Sequence, residues 1–476
     1  SIGLLSGREV PNFGQFDEPP SKDEVLDRLS GTELGDHLVK VYAGQVRTAL
    51  KPQYVDKLPA AVKGVPRDLL GRVAERMTVE EASSLLDLDE VIDRPLDKLS
   101  GGELQRVAIA ATLMKDADIY FFDEPSSYLD IFQRIRMARL IQELAKDKQV
   151  MVIEHDLAIL DFMTDNAYLV YGSEGAYGVF AQPRHVRTAI NTYLDGYMRE
   201  ENIRFRDTAI RFESHPPRDT VEMVPLMEFG DLECDHKQFK LKVEGETIRT
   251  GESVGVVGPN AIGKTTFVKM LAGVQEPTKG KLDKNATVSY KPQYISPDFD
   301  GTVSELFMAT AFDFFQSGFF ESEIAHPLSL RRLYEKNVMH LSGGELQRVA
   351  IALCLSKDAD IYLLDEPSAY LDSNQRMEAA KTIRRVMEKK GRSALIVDHD
   401  IYFLDMVSDS MMVFSGTPGV EGLATGPYDM RQGMNMFLKA IDVTFRRDND
   451  TNRPRINKPG SRLDREQKEK GEYYYS

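Results

Sequence analysis

Cysteine is nearly absent: Cys234 and Cys354 are the only two in 476 residues. That excludes a disulfide framework and leaves reduced, buried thiols as the expectation. No uninterrupted apolar run approaches the ~18 residues that a membrane-spanning helix needs. No amino-terminal segment reads as a secretory signal, so the expected location is the cytoplasm, with no membrane partner. Positive charge is in deficit as well. The formal net charge of −15 argues against a protein that coats nucleic acid with its whole surface, though it leaves room for a local basic patch. Tryptophan is missing and excludes nothing. What remains is the composition of a soluble globular protein, 42% hydrophobic and 28% charged, at a length that suits two large α/β domains.

The strongest positive feature is a repeat. LSGGELQRVAIA at Leu99–Ala110 returns at Leu341–Ala352, and DEPSSYLD at Asp123–Asp130 returns as DEPSAYLD at Asp365–Asp372, both at an offset of 242 residues. KPQY at Lys51–Tyr54 recurs at Lys291–Tyr294, and EHD at Glu154–Asp156 recurs as DHD at Asp398–Asp400, at offsets of 240 and 244. A period of that length is a duplicated domain, not a solenoid. The expected domains are 1–198, a linker at 199–224 with Pro216–Pro217 at its centre, 225–444, and a closing segment at 445–476. From Arg446 to Ser476 that segment has 9 basic and 6 acidic residues and reads as irregular.

The two halves differ at their starts. LLSGREVPNFG at Leu4–Gly14 resembles MLAGVQEPTKG at Met270–Gly280, which directly follows GPNAIGKT. The first half's equivalent of Thr265 then falls just before Ser1, so the expectation is an amino-terminally truncated chain whose first phosphate loop lies upstream. The first half also carries an insert of 26 positions at about 20–44. Ser21 with Glu24 forms a capping-box pattern there, and Leu34, Leu38, Val41 and Tyr42 recur at helical spacing. Two short helices around Ser30–Gly31 are predicted.

The chemistry is concentrated in the repeated motifs. Gly258, Pro259, Asn260, Ala261, Ile262, Gly263, Lys264 and Thr265, followed by Thr266, match the G-x-x-x-x-G-K-[ST] phosphate loop between a β-rich run and a helical one. Its backbone N–H groups would converge on phosphate oxygens at a helix amino-terminus. Lys264 would reach the β- and γ-phosphates, and Thr265 would ligate Mg²⁺. IYFFDE and IYLLDE are short apolar strands that end in paired carboxylates. Asp123 and Asp365 would hold the metal, and Glu124 and Glu366 would polarise the attacking water. Ser100, Gly101, Gly102 and Ser342, Gly343, Gly344 open helices as anion-binding nests. Gln53 and Gln293 could contact Mg²⁺ or the lytic water. His155 and His399 follow β-type runs at the sheet's carboxyl edge, where an imidazole can sense a γ-phosphate.

Phosphate loop, Gln, LSGGELQR, Asp-Glu and His in this order resemble the ABC ATPase pattern. The resemblance implies two tandem α/β domains, each a mixed-sheet core with a helical subdomain, facing each other head to tail around two ATP molecules. The loop at Gly258–Thr265, with Gln293, Asp365, Glu366 and His399, would then face Ser100, Gly101 and Gly102. Gln53, Asp123, Glu124 and His155 would face Ser342, Gly343 and Gly344. The identical LSGGELQRVAIA in both halves, the DEPSSYLD and DEPSAYLD motifs, the insert, GYMREENIRFR at Gly196–Arg206 and RPRINKPGSRLDREQKEKGEYYYS at Arg453–Ser476 are similar to subfamily E. Those are the ribosome-recycling ATPases, also called the RNase L inhibitor family. Membership implies an ATP- and Mg²⁺-dependent monomer with intramolecular domain pairing. The implied partners are ribosomal subunits, both rRNA and ribosomal proteins, and a release factor of the termination complex. Iron–sulfur clusters are implied only in an amino-terminal domain upstream of Ser1. The insert has three Lys or Arg against five Asp or Glu, so its charge gives no support to an RNA contact.

Three other readings compete. A transporter ATPase subunit would share every catalytic motif but not the segment at Arg453–Ser476. A subfamily F translation factor would need a long helical linker in place of 199–224. A non-catalytic scaffold would not need Glu124 and Glu366.

Overall fold

A computed structural model describes residues 2–15, 20–173, 177–206, 208–212, 224–236, 239–282 and 286–474. By packing, the chain divides into two compact units, Ser1–His155 and Asp156–Ser476. Among the described residues no helix is long and apolar enough to cross a membrane. Cys234 and Cys354 are both buried and free, as their scarcity predicts.

In the first unit the insert forms both predicted helices. Helix α1 (Lys22–Arg28) opens on the Ser21–Glu24 capping box, and α2 (Glu33–Tyr42) opens on Thr32, whose side chain accepts from the Gly35 N–H. Val25 and Leu38 are wholly buried and anchor the pair. Three parallel strands follow: β1 (Thr48–Lys51), β2 (Ile119–Asp123) and β3 (Gln149–Ile153), with β2 in the middle. Two helices accompany them, α3 (Gly101–Leu113) and α4 (Ile131–Leu144), the latter capped by Asp130.

The second unit begins with α5 (Leu157–Met163) and α6 (Val186–Asp195). Strands β4 (Leu232–His236), β5 (Phe239–Val243) and β6 (Ser253–Val257) lead into α7 (Lys264–Leu271) and β7 (Val288–Lys291). Then come α8 (Gly343–Ser356), β8 (Ile361–Asp365), α9 (Ser373–Lys390), β9 (Ser393–Val397) and α10 (Ile401–Val407). The hairpin β10 (Ser410–Thr417) and β11 (Glu421–Asp429) completes a sheet of order β4-β5-β11-β10-β6-β9-β8-β7. The sheet is mixed: β4–β5 and β10–β11 pair antiparallel, and the run from β10 through β6, β9 and β8 to β7 is parallel. Every residue of β6, β8 and β9 is buried. Such strands are mostly apolar because both faces are covered, and their polar residues Ser253, Asp365 and Ser393 stand at strand ends. Phosphate chemistry belongs at the carboxyl end of such a sheet, which is where Gly258, Glu366 and His399 emerge.

The closing segment is not irregular, contrary to the sequence expectation. It forms an antiparallel pair, β12 (Phe445–Arg447) with β13 (Pro454–Ile456), and then helix α11 (Arg462–Lys470). Some of its charges are buried, Arg453 and Asp448 among them. Arg453 is wholly buried, with Nη1 2.8 Å from Asp161 and 2.7 Å from the Tyr402 hydroxyl. Arg455 grips the same Asp161 with two nitrogens at 2.7 and 2.9 Å. Beside this network Leu157, Val186, Ile190, Leu194, Ile210 and Phe212 pack on Met377 and Tyr402. These contacts place residues after Asp156 in the second compact unit, although the repeat puts its boundary at 199–224. Pro216–Pro217 lie outside the described residues.

Candidate nucleotide site

Strand β6 delivers the chain to Gly258, whose φ of 150° and whose missing Cβ are both required: a Cβ there would lie 2.6 Å from the Phe414 carbonyl oxygen. Gly263 (φ 97°) is the residue before α7, and no side chain caps that helix. Its first N–H groups are therefore left for an anion. Ala261 has φ 56°, a conformation that costs a residue with a Cβ about 1–2 kcal/mol. Glycine there would relieve that strain. The Lys264 ammonium is buried and donates to the carbonyls of Gly258 (2.9 Å) and Pro259 (2.6 Å) across the loop's own cradle.

Asp365 ends β8 with no exposure, and neither carboxylate oxygen makes a hydrogen bond in bonding geometry. Burial raises its pKa, against the opposing pull of the Thr265 hydroxyl, Lys291 and Lys264. Orphaned carboxylate oxygens beside a hydroxyl and a phosphate loop form the hard oxygen donor set that Mg²⁺ prefers, so these residues fit the ion.

Glu366 follows with φ 49°, and its counterpart Glu124 in the first unit has φ 46°. In both units the glutamine amide donates to the glutamate carboxylate, Gln53 to Glu124 at 2.6 Å and Gln293 to Glu366 at 2.8 Å. His155 Nε2 stands 3.5 Å from Glu124, and His399 Nε2 stands 3.8 Å from Glu366. The two carboxylates are tuned oppositely. Burial raises Glu366, Asp365 adds to this, and the Gln293 bond does not offset it. Burial also acts upward on Glu124, but His155, Gln53 and Ser127 outweigh it and the net shift is downward. Within each unit the structure gathers the predicted set: Gln53, Asp123, Glu124 and His155 in one, and the loop, Gln293, Asp365, Glu366 and His399 in the other.

The residues Ser100, Gly101, Gly102 and Ser342, Gly343, Gly344 open α3 and α8. Their serines have a second task that sequence reading missed. Ser-x-x-Glu is a capping box, and both are formed: Glu103 returns to the Ser100 N–H at 2.7 Å, and Glu345 to the Ser342 N–H at 2.9 Å. The glycines also make room for Tyr128 and Tyr370. A Cβ on Gly102 or Gly344 would lie 3.0 or 2.8 Å from the carbonyl oxygen of the respective tyrosine. Lys51 and Lys291 of the KPQY motifs, and Gln105 and Gln347 of the LSGGELQR motifs, are all buried beneath the carboxylates.

The ABC transporter family model matches residues 18–127 and 242–369. Translation initiation factor RLI1 of Saccharomyces cerevisiae is 41% identical over 485 aligned residues, covering all of this chain and 80% of its own. A crystal structure of the complex of archaeal ribosomal stalk protein aP1 and archaeal ribosome recycling factor aABCE1 superposes with a TM-score of 0.94 at 51% identity. It covers all of this chain and 92% of its own. A model of ribosome-bound archaeal Pelota and ABCE1 does so with a TM-score of 0.91 at 52% identity, again over all of this chain and 80% of its own. With the phosphate loop, the doubled Asp-Glu and LSGGELQR motifs and this breadth of likeness together, the chain belongs to the ABC family and, within it, to subfamily E, as a tandem ATPase that binds ATP with Mg²⁺ and hydrolyses it.

Proposed function

We propose that this ATPase uses nucleotide-driven closure of its two halves to bind ribosomes and split them into subunits after termination, with a link to initiation. The observation that carries the ATPase part is the doubled arrangement in which a glutamine and a histidine converge on a glutamate set in a left-handed turn. The ribosomal part is supported by the relatives: a translation initiation factor, a recycling factor in complex with a ribosomal stalk protein, and a ribosome-bound neighbour.

In this reading the functional halves are 1–198 and 225–444, joined by 199–224 and followed by 445–476. The loop from Gly258 to Thr266 binds ATP, with Ser100, Gly101 and Gly102 as its partner nest. Thr265, Gln293 and Asp365 would hold Mg²⁺, which when bound would offset the negative charge of the phosphates. Glu366 orients and deprotonates the attacking water, and His399 faces the γ-phosphate. Gln53, Asp123, Glu124 and His155 serve the other site with Ser342, Gly343 and Gly344. The working form is a cytoplasmic monomer acting with a release factor, and iron–sulfur clusters belong to an amino-terminal domain of the family.

Sedimentation through sucrose gradients tests the ribosomal part. With a non-hydrolysable ATP analogue the chain is expected to co-sediment with ribosomal subunits, and Lys264→Ala should abolish this. Failure to co-sediment while the analogue is demonstrably bound would overturn the ribosomal reading and leave the ATPase intact.

A further inference from the structure

Each half buries a lysine that nucleotide binding does not use. Lys51 ends β1 and Lys291 ends β7, and they are 0% and 1% exposed. A buried lysine is rare unless its ammonium is fully employed. The Lys291 Nζ donates to two successive backbone carbonyls, Asp365 at 2.7 Å and Glu366 at 3.2 Å. The Lys51 Nζ does the same to Asp123 at 2.8 Å and Glu124 at 3.1 Å. A second donor meets the same glutamate carbonyl in each half. Gln347 reaches Glu366 at 2.7 Å, and Gln105 reaches Glu124 at 2.8 Å and Pro125 at 2.9 Å.

The carbonyls that converge are those flanking the left-handed turn at Glu366 and Glu124. That conformation is costly for a residue with a Cβ and persists only when its surroundings over-determine it. Two carbonyl dipoles aimed at one buried point repel each other unless a donor sits between them, and an ammonium with three protons can serve both. The lysine comes from the neighbouring parallel strand and the glutamine from the helix that LSGGELQR opens, so the turn is fixed from two directions.

We propose that Lys291 with Gln347, and Lys51 with Gln105, are positioning residues that lock the left-handed turn and so aim the carboxylates of Glu366 and Glu124. Without the clamp the turn relaxes toward an ordinary backbone conformation and the carboxylate swings off its Gln293 or Gln53 partner. The proposal rests on the reading of Glu366 as the carboxylate that orients water.

The test is a kcat-against-binding split in the full chain. Lys291→Met keeps the side chain's length and removes its donors. Single-turnover hydrolysis is expected to slow by ~10-fold or more, since small misplacements of a catalytic group are that costly. Affinity for a non-hydrolysable ATP analogue should stay within about three-fold, because the phosphate loop is untouched. Gln347→Met should slow hydrolysis less, and the double variant should lose less than the product of the two effects, since both act on one carbonyl. Parallel loss of binding and rate would assign Lys291 to general stability and overturn the proposal, as would an unchanged rate. If Lys291→Met does not fold, Gln347→Met decides alone, and an unchanged rate again refutes the clamp. Glu366→Gln separates the two claims. If it leaves the rate intact, the reading of Glu366 fails; if it slows hydrolysis and Lys291→Met does not, only the clamp fails.

Discussion

Asp448 shows how a charge can be worth more inside this protein than on its surface. It is 4% exposed, bonded to Arg187 at 2.9 Å and Arg455 at 3.3 Å, and it accepts the Asp450 N–H at 3.0 Å. Burial pushes its pKa up, but the Asp450 amide, Arg453 and Arg187 win and hold it at about 2. A carboxyl whose folded pKa lies below its ordinary 3.8 contributes stability that is complete above that value and is lost as pH falls through about 2. Asp448→Asn should therefore lower unfolding free energy at neutral pH by about 2 kcal/mol. It should also flatten the decline between about pH 4 and pH 2. Denaturant midpoints across that range check both, and an unchanged acid limb would contradict the assignment. None of this was legible in the sequence, where Arg453 and Asp448 stand in a charged tail; the partner that buries Arg453, Asp161, lies 292 residues away. The candidate catalytic residues were legible because each lies in a local motif, and repetition at offsets of 240 to 244 residues marked them.

At the scale of elements, legibility followed covering. The parallel strands β6, β8 and β9 are buried on both faces, so each is apolar but for one terminal Ser or Asp and stands out. Strand β11 alternates between buried and exposed positions and pairs with β10 through a register shift, so no continuous apolar run marks it. The first insert helix is legible from its Ser-x-x-Glu box and the second from apolar spacing, whereas the box inside LSGGE is masked by glycines that point to phosphate. Those glycines carry an element-scale prediction. Alanine in a helix interior gains nearly 1 kcal/mol over glycine, but at Gly344, in the first turn, its Cβ would press within 2.8 Å of the Tyr370 carbonyl, which is backbone and cannot turn aside. Gly344→Ala should destabilise by about 1–3 kcal/mol. Gly343→Ala should cost less, since its Cβ would meet only the Tyr370 side chain at 3.3 Å. Thermal unfolding of the two variants side by side checks the order, and a more stable Gly344→Ala would contradict it.

For the whole molecule, the repeat made two nucleotide-binding halves evident, while packing divides the chain elsewhere, at His155–Asp156. The two divisions differ because α5, α6 and the residues up to Phe212 bury their apolar faces on Met377 and Tyr402, and their polar groups on Asp448 and Arg453. The complete phosphate loop Gly258–Thr265 is where a firmly held ATP is expected. The central claim is that this ATP is bound by the loop and hydrolysed through Glu366, two tasks assigned to different residues. Single-turnover hydrolysis by Glu366→Gln, with bound nucleotide counted in the same samples, tests it most directly. The account predicts that ATP is retained at the loop and that its cleavage is slowed by at least ~10²-fold. Cleavage at the unaltered rate, or loss of the bound ATP, would contradict it.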